Sequence, residues 1–246
     1  MLNKPTAAKH YRKDGSWLLV HGAGGGAWQW RRWQAHLSAW GIRSQAMDLR
    51  PGAEGLQATN LDEYLNQLRE FVGEGSHSVL VGASMGAVLV WRLSQELASA
   101  HKLVMVNPPV TSSRERSNPE IIHWRGNQGL ASTRKHMRGA SAADCYFAHR
   151  CWRNESGKAL SQAQNWQPGP PSARTLLVLG SEDASAVDRG DTLAEQLRAE
   201  RLVIEGAGHL QPLLCEAASR TVHRVRDWAH SSTVRPRPRL STPGSE

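Results

Sequence analysis

The stretch Val79-Leu-Val-Gly-Ala-Ser-Met-Gly-Ala87 joins an apolar run to the pattern G-x-S-x-G. In this pattern, called a nucleophile elbow, a strand ends, the chain turns sharply and a helix begins, with a serine at the turn. The turn crowds its own neighbours, so small residues are needed two positions before and after the serine. Gly82 and Gly86 stand at those positions. The pattern therefore predicts that Ser84 is a nucleophile, and the alternative is a glycine-rich strand-to-helix turn without chemistry.

The composition is typical of a globular protein with one medium-sized domain. The chain has 246 residues, of which 39% are hydrophobic and 21% are charged, enough for a substantial buried core. No apolar stretch approaches the roughly 20 residues of a membrane helix, so we expect no membrane partner. Residues 1–16 contain basic side chains but no apolar signal core, and we interpret them as an N-terminal extension.

The cysteines and the charge narrow the function classes further. The three cysteines, an odd number, lack C-x-x-C spacing, so we expect reduced thiols in a cytoplasmic protein and no metal site. The net charge of +8 derives partly from arginines that alternate with prolines near the C-terminus. No helix-turn-helix, zinc or RNA-binding signature accompanies it, so we expect no nucleic acid. The charge favours solubility or an anionic substrate.

Apolar runs alternate with helical stretches along the chain, as a parallel sheet covered by helices requires. The pattern predicts six strands at Trp17–Val20, Ile42–Asp48, Ser78–Val81, Lys102–Val106, Thr175–Leu179 and Arg201–Ile204. It predicts helices near Trp28–Ala39, Leu61–Val72, Met85–Ser99, Asp191–Ala199 and Leu213–Trp228.

One segment interrupts this alternation. Between two proline clusters lie about 60 residues without a convincing strand, too many for a structureless loop. We therefore predict a helical cap at residues 109–171, inserted into an α/β core of residues 17–108 and 172–230. The polar tail, residues 231–246, is expected to be disordered. The cap is expected to form a lid over the Ser84 pocket, with some of its five aromatic residues packed on the core and others lining the pocket; the alternative is that all five form the cap's own core. They are Trp124, Tyr146, Phe147, Trp152 and Trp166.

A serine hydroxyl needs a neighbouring base, usually a histidine oriented by a carboxylate. The sequence offers Glu182 and Asp183 after the fifth strand and His209, preceded by glycines, after the sixth. These are carboxyl ends of strands, where open α/β sheets place their sites. Spacing alone does not separate the two acids. Asn107, after the fourth strand, occupies a second possible acid position but carries no charge.

The attacked carbonyl also needs N–H donors aimed at its developing negative charge. One is expected from Met85, and another from the glycine-rich loop His21-Gly-Ala-Gly-Gly-Gly-Ala-Trp28. The loop has an alternative interpretation: it meets the dinucleotide pattern G-x-G-x-x-A, with Asp48 after the second strand as a ribose ligand. That interpretation leaves Ser84 and His209 unexplained.

Together, the first loop, the elbow and the segments Gly180–Asp183 and Gly206–His209 resemble the α/β-hydrolase superfamily. The first loop resembles the branch of plant methyl esterases and hydroxynitrile lyases, with their bacterial relatives. The resemblance implies a six-stranded, mainly parallel sheet with helices on both faces, and adjacent first and third strands. It implies Ser84 as nucleophile, His209 as base and Asp183 as its partner. The N–H groups of Ala23 and Met85 would form the oxyanion hole, and no cofactor is expected.

Two departures from the lyases bear on the reaction. They usually carry a threonine where Gly22 stands and a lysine where Leu210 stands, so both positions favour ester hydrolysis. We expect a serine hydrolase for a carboxylic ester or thioester of a small, largely apolar acid, with Trp28 and Leu210 as candidate substrate contacts. A carbon–carbon bond hydrolase or lyase and a non-catalytic binding protein remain the alternatives, and the oligomeric state is left open.

Overall fold

The fold is built on one parallel six-stranded sheet. The computed structural model describes residues 16–72, 77–97, 101–110, 114–124, 129–138, 140–183 and 190–231. The strands of the main sheet are Ser16–Val20 (β1), Ser44–Met47 (β2), His77–Ala83 (β3), Lys102–Val106 (β4), Arg174–Gly180 (β7) and Glu200–Ile204 (β8). They lie in the order β2-β1-β3-β4-β7-β8, and every neighbouring pair is parallel. The predicted fold class, with adjacent first and third strands, is confirmed.

The helices follow the predicted alternation with small differences at their ends. A 3-10 turn at Ala27–Trp30 precedes the first helix. The α-helices are Arg31–Ala39 (α1), Leu61–Val72 (α2), Met85–Glu96 (α3), Gly129–His136 (α4), Ala142–Cys151 (α5), Gly157–Gln164 (α6), Gly190–Gln196 (α7), Gln211–Leu214 (α8) and Glu216–His230 (α9). The helix predicted at Leu213–Trp228 is divided because the backbone at Cys215 is extended, with φ −102° and ψ −162°.

The start of α2 shows how local chemistry fixes a helix end. Asn60 Oδ1 accepts hydrogen bonds from the N–H groups of Asp62 and Glu63, and the Glu63 carboxylate accepts one from the N–H of Asn60. This reciprocal arrangement pairs N–H groups that a helix start leaves without a partner.

Strand β2 is shorter than the predicted Ile42–Asp48. The N–H of Ile42 donates to the carbonyl of Leu37 in α1. Residues 41–43 therefore form the exit of that helix, and the strand begins only at Ser44. From the sequence alone, Ile42 after Gly41 could belong either to the strand or to the exit of the helix.

Alternate side chains of each strand pack into two apolar layers, one on each face of the sheet. Leu19, Val81 and Val104 belong to the layer that includes side chains of α1 and α9. Leu18, Leu80 and Leu103 belong to the opposite layer, with α2 and α3. Burial on both faces explains why these strands are continuously apolar in sequence.

The segment predicted as a cap contains helices α4, α5 and α6. It also contains a short antiparallel pair, β5 (Ile121–Ile122) with β6 (Glu155–Ser156), so the expectation of no strand there is wrong. Two-residue strands leave no alternation to detect. The predicted domain boundaries remain predictions.

Both ends of the chain lie largely outside the described residues. Ser16 was assigned to the N-terminal extension, but it is the first residue of β1. The expectations for residues 1–15 and for a disordered tail at residues 232–246 fall outside the described ranges. Within those ranges, no helix combines the length and the apolar character needed to cross a bilayer.

Candidate active site

Ser84 lies at the apex of a sharp turn between β3 and α3. Its φ of 51° is in the left-handed region, which a residue with a side chain rarely adopts. The N–H of Ser84 donates to the carbonyl of Val106 at 2.9 Å, and its own carbonyl accepts from the N–H of Ala87 at 2.9 Å. A strained backbone held by two hydrogen bonds is the geometry of a nucleophile elbow.

The two glycines of the elbow are required by close approach. A Cβ on Gly82 would overlap the carbonyl of Gly86, and a Cβ on Gly86 would overlap the carbonyls of Val20 and His21. Strand β1 therefore passes directly against the first turn of α3. This contact brings the loop after β1 beside Ser84.

His209 and Asp183 form a hydrogen-bonded pair beside this turn. His209 Nδ1 lies 2.6 Å from Asp183 Oδ2, and the Asp183 side chain is only 8% exposed. With Nδ1–H donating to the carboxylate, Nε2 is the ring nitrogen that can accept a proton. Glu182 is exposed, so the structure brings Asp183, and not its neighbour, to the histidine.

Asn107 ties the two loops of this pair together, which the sequence analysis missed. Its Nδ2 donates to the carbonyl of His209 at 2.8 Å, and its Oδ1 accepts from the N–H of Gly180 at 2.9 Å. The residue is 1% exposed and has a φ of 42°. From the sequence, this residue at the end of β4 stands out only as an uncharged side chain at a possible acid position. The uncharged amide instead positions the histidine loop against the end of β7.

The residues predicted to supply the oxyanion donors, Ala23 and Met85, both lie near Ser84. Gly22 and Ala23 line the same cavity as Ser84, and Met85 follows Ser84 directly. Within the described residues, the N–H groups of Ala23 and Met85 donate to no acceptor. The loop around Ala23 is held by hydrogen bonds from its neighbours, among them the N–H of Gly22 to the buried side chain of Gln29.

Two residues of the inserted segment fasten this glycine-rich loop. The carboxylate of Glu155, which is 3% exposed, accepts from the N–H of Gly24 at 2.8 Å and from the Tyr64 hydroxyl at 2.6 Å. The N–H and Nε of Arg153 donate to the carbonyls of Gly24 and Gly25 at 2.8 and 2.7 Å. Burial, together with the adjacent Glu155 charge, raises the pKa of Tyr64, so its hydroxyl stays protonated and donates. Neither residue could be singled out from the sequence, because neither lies in a periodic segment.

We expect Glu155→Gln to loosen this loop. The amide places an NH2 group where a carboxylate oxygen now accepts from Gly24 or from Tyr64 and Ser156. The free energy of unfolding should fall by about 1–3 kcal/mol, and kcat/KM for a good substrate should fall at least several-fold. Urea unfolding and steady-state kinetics measure both. Tyr64→Phe, which removes one donor and keeps the carboxylate, should have a smaller effect on kcat/KM; equal effects of the two variants would contradict this role.

His21, at the start of the same loop, is buried in its neutral form. Nδ1 lies 2.7 Å from the carbonyl of Gly22, and Nε2 accepts from the N–H of Leu49 at 3.0 Å. Arg153 Nη2 lies 3.2 Å from the same Nε2. Burial above all, with the charge of Arg153, lowers the pKa of His21 to about 4. A proton on Nε2 would displace the Leu49 hydrogen bond and face the guanidinium.

This histidine predicts a loss of stability in mild acid. In the unfolded chain its pKa is about 6.5, so between pH 6.5 and 4 the unfolded state binds a proton that the folded state does not. Stability therefore falls as the pH drops through this window, by at most about 3 kcal/mol from this group. His21→Gln should show a shallower decline when urea unfolding is measured from pH 7 to 4.5. Parallel declines in the two proteins would contradict the assignment.

A cavity of about 260 Å³ unites the predicted residues. Ser84, Asp183 and His209 all line it, as does Leu210. Trp28 is not among the lining residues; it packs edge-to-face on Phe147 and Trp152, with ring centroids 5.7 and 5.3 Å apart. The structure therefore brings Leu210 to the cavity and places Trp28 behind its wall.

The aromatic residues of the inserted segment divide into two groups. Trp124 and Trp152 line the cavity. Trp166 packs on Trp91 instead and donates its indole N–H to the carbonyl of Pro109, while Tyr146 is 53% exposed. The cavity wall is therefore partly aromatic and partly polar, with further apolar contributions from Val110, Leu160, Leu210 and Leu213.

In the structure, Asp48 has a local role that the dinucleotide interpretation of the first loop does not require. Asp48 Oδ1 accepts from the N–H of Ala27 at 2.8 Å and so caps the 3-10 turn. Among the residues that the structure describes, no group of three or more His, Cys, Asp or Glu side chains has the arrangement of a metal site.

A serine at an elbow on the carboxyl edge of a parallel sheet, beside a His–Asp pair from the last two strand ends, is the arrangement of the α/β hydrolases. The chain belongs to the alpha/beta hydrolase family, whose model matches residues 17–226. The predicted hydrolase class is thereby confirmed. No protein of curated function matches the sequence significantly.

Solved structures of similar shape include enzymes with several activities. A methylesterase, MES16, from Arabidopsis has a TM-score of 0.68 at 17% identity, covering 87% of this chain and 98% of that one. A variant of methylketone synthase I from tomato has a TM-score of 0.67 at 15% identity, with 88% and 99% covered. A monoacylglycerol lipase from Paleococcus ferrophilus has 0.67 at 19%, with 87% and 95% covered. At these identities the likeness concerns the fold.

Proposed function

We propose that the protein is a serine esterase that cleaves a carboxylic ester through an acyl-enzyme. The observation that carries this proposal is that Ser84, strained at its turn, lines one cavity with a buried Asp183–His209 pair. A strained serine alone would suit a structural turn, and a His–Asp pair alone would suit a loop. Their convergence on one cavity supports nucleophilic catalysis.

The reaction follows from the roles of these groups. His209 Nε2 takes the proton from Ser84 Oγ as the oxygen attacks the ester carbonyl carbon. The N–H groups of Ala23 and Met85 stabilise the negative charge that develops on the carbonyl oxygen. His209 then returns the proton to the leaving alkoxide, and an alcohol departs. Water then gives a proton to the same nitrogen as it attacks the acyl carbon, the bond from that carbon to Ser84 Oγ breaks, and His209 returns the proton to Oγ as the acid is released. Asp183 holds Nδ1–H and stabilises the imidazolium throughout.

The size and wall of the cavity support a small, largely apolar substrate. A volume of about 260 Å³ is slightly below the range of typical ligand pockets, roughly 300–1,000 Å³. Trp124 and Trp152 supply apolar surface. The same chemistry serves a thioester. A leucine, Leu210, follows the base on the cavity wall, which favours hydrolysis over a lyase reaction that places a cationic side chain there.

A reducing cellular compartment is part of the proposal. Cys145, Cys151 and Cys215 are all free thiols. Cys145 and Cys215 are buried in the same apolar layer, where they behave as small hydrophobic residues. Free thiols are typical of cytoplasmic proteins.

Hydrolysis of p-nitrophenyl esters tests the proposal. Acetate, butyrate, hexanoate and decanoate esters should show turnover that declines for the longest chain, because the cavity is small. Rapid mixing should reveal a burst of p-nitrophenol equal to the enzyme concentration if deacylation is the slower step. Reaction of Ser84 with an organophosphorus probe without turnover of any ester would instead favour a carbon–carbon bond hydrolase or lyase. If the protein neither reacts with the probe nor hydrolyses any ester, a non-catalytic binding protein would be favoured.

A further inference from the structure

Two residues that line the active-site cavity carry hydrogen-bond donors without an acceptor among the described residues. Arg116 and Gln164 both line the cavity. Within the described ranges, the Arg116 guanidinium forms no ion pair and no hydrogen bond. The one carboxylate among the lining residues is Asp183, which is bound to His209. The Arg116 guanidinium is therefore available to pair with an anion that enters the cavity.

The backbone of Arg116 is held firmly, although its side chain is exposed. Its N–H donates to Asn165 Oδ1 and its carbonyl accepts from Asn165 Nδ2, both at 2.8 Å. Asn165 ends helix α6. The reciprocal pair fixes the guanidinium's point of attachment relative to the cavity wall that α6 contributes.

The amide of Gln164 is oriented by its neighbours. Asn118 Nδ2 donates to Gln164 Oε1 at 2.9 Å and to Ser161 Oγ at 2.9 Å, and the N–H of Asn118 also donates to Ser161 Oγ, at 3.0 Å. Because Oε1 is occupied, the Nε2 group remains as a donor, and within the described part of the chain it has no acceptor. A second donor thus belongs to a residue that lines the same cavity as Arg116.

We propose that Arg116 and Gln164 Nε2 bind a carboxylate of the substrate, so that the natural substrate is an ester carrying a second, ionised carboxyl group. This inference rests on the proposed function and names its substrate class. A guanidinium pairs with a carboxylate through two parallel N–H donors, and an additional amide N–H adds to that pairing. Trp124, Trp152 and Leu160, which also line the cavity, suit an apolar segment of the substrate. The net charge of +8 attracts an anion from a distance.

Matched ester pairs test the proposal. Monomethyl adipate and methyl hexanoate differ in one carboxylate on the acyl side, and 6-acetoxyhexanoate and hexyl acetate differ in one on the alcohol side. In the parent, one charged ester should be preferred over its neutral partner. Arg116→Gln should lower that ratio of kcat/KM values about tenfold, the effect expected for one charge-assisted contact. Arg43→Gln removes the same charge from an exposed position outside the cavity wall, and should leave the ratio unchanged.

A binding measurement keeps this test separate from turnover. Calorimetric titration of monomethyl adipate and 6-acetoxyhexanoate into the Ser84→Ala protein should give a Kd that Arg116→Gln weakens about tenfold. Both effects should shrink as KCl is raised. If Arg116→Gln changes neither the kcat/KM ratio nor the Kd, and neutral esters are still hydrolysed, the carboxylate site is overturned but the proposed esterase activity is not. Arg116-dependent binding without hydrolysis of any ester would support the site and overturn the proposed reaction.

Discussion

Ser84→Ala is expected to lose ester hydrolysis by several orders of magnitude, because the substitution removes the proposed attacking oxygen, the one that lies at the elbow. Loss of a nucleophile of this type costs on the order of 10⁶ in kcat where it has been measured. The fold should persist, since the substitution removes one hydroxyl that forms no hydrogen bond with the described residues. The positive φ of this position is strained for serine and alanine alike. Steady-state kinetics on the best p-nitrophenyl ester and thermal unfolding measure the two quantities.

Ser132→Ala supplies the matched control. Ser132 lines the same cavity from helix α4, but it lies on no elbow and the mechanism does not use it. Its removal should change kcat/KM by far less than the removal of Ser84. Retention of most of the parent activity by Ser84→Ala would remove the basis of the proposed mechanism, whatever the effect at Ser132.

Asp183→Asn is expected to produce the second largest loss, on the order of 10⁴ in kcat. An amide cannot stabilise the imidazolium that forms during attack, and its NH2 group favours the wrong tautomer of His209. The short distance of 2.6 Å between Nδ1 and Oδ2, together with the burial of the carboxylate, makes this pair the only one available to orient the ring within the described residues. The measurement is kcat as a function of pH.

Glu182→Gln separates this prediction from a general effect of removing charge. Glu182 is the adjacent acid, and its side chain is exposed. Its N–H donates to the carbonyl of Ala207 at 2.9 Å, and this bond is unaffected by a side-chain change. Activity within a few-fold of the parent is expected. A reversed ranking of the two variants would mean that Glu182 is the acid that acts on His209.

The strands β1, β3, β4 and β7 were predictable from the sequence because they are almost wholly buried, whereas the edge strand β2 is only partly buried. Strands covered on both faces are nearly continuous apolar runs, and all six predicted strands are present in the main sheet. The elbow was predictable for a local reason: the clash that excludes a Cβ at Gly82 involves Gly86, four residues away. The same sequence could not show that Gly86 also faces β1, which lies more than 60 residues earlier.

The support of the site was not predictable, because it consists of contacts between distant parts of the chain. Glu155 and Arg153 reach the loop after β1 across more than 125 residues, and nothing in their surroundings distinguishes them from solvated charges. In the sequence, Asn107 is only an uncharged residue at a possible acid position, whereas in the structure its side-chain amide bridges two loops. Trp28 was expected at the substrate because it ends the first loop, but its ring packs on Phe147 and Trp152.

The structure also gives the inserted segment a second role in the proposed reaction. It supplies Trp124 and Trp152 to the cavity wall, and through Glu155 it holds the N–H of Gly24, next to the proposed oxyanion donor Ala23. Selection of the substrate and orientation of a catalytic loop would thus depend on the same segment. Substitutions in it are therefore expected to change kcat as well as KM.

The most direct test of the central claim, that Ser84 is a catalytic nucleophile, is mass spectrometry after reaction with a fluorophosphonate. We expect one adduct per chain, loss of ester hydrolysis in step with labelling, and fragment ions that place the adduct on Ser84 within the tryptic peptide of residues 70–92. That peptide also contains Ser76 and Ser78, so fragmentation is needed to assign the site. An adduct on another residue, or equal labelling of the Ser84→Ala protein, would show that Ser84 is not the nucleophile.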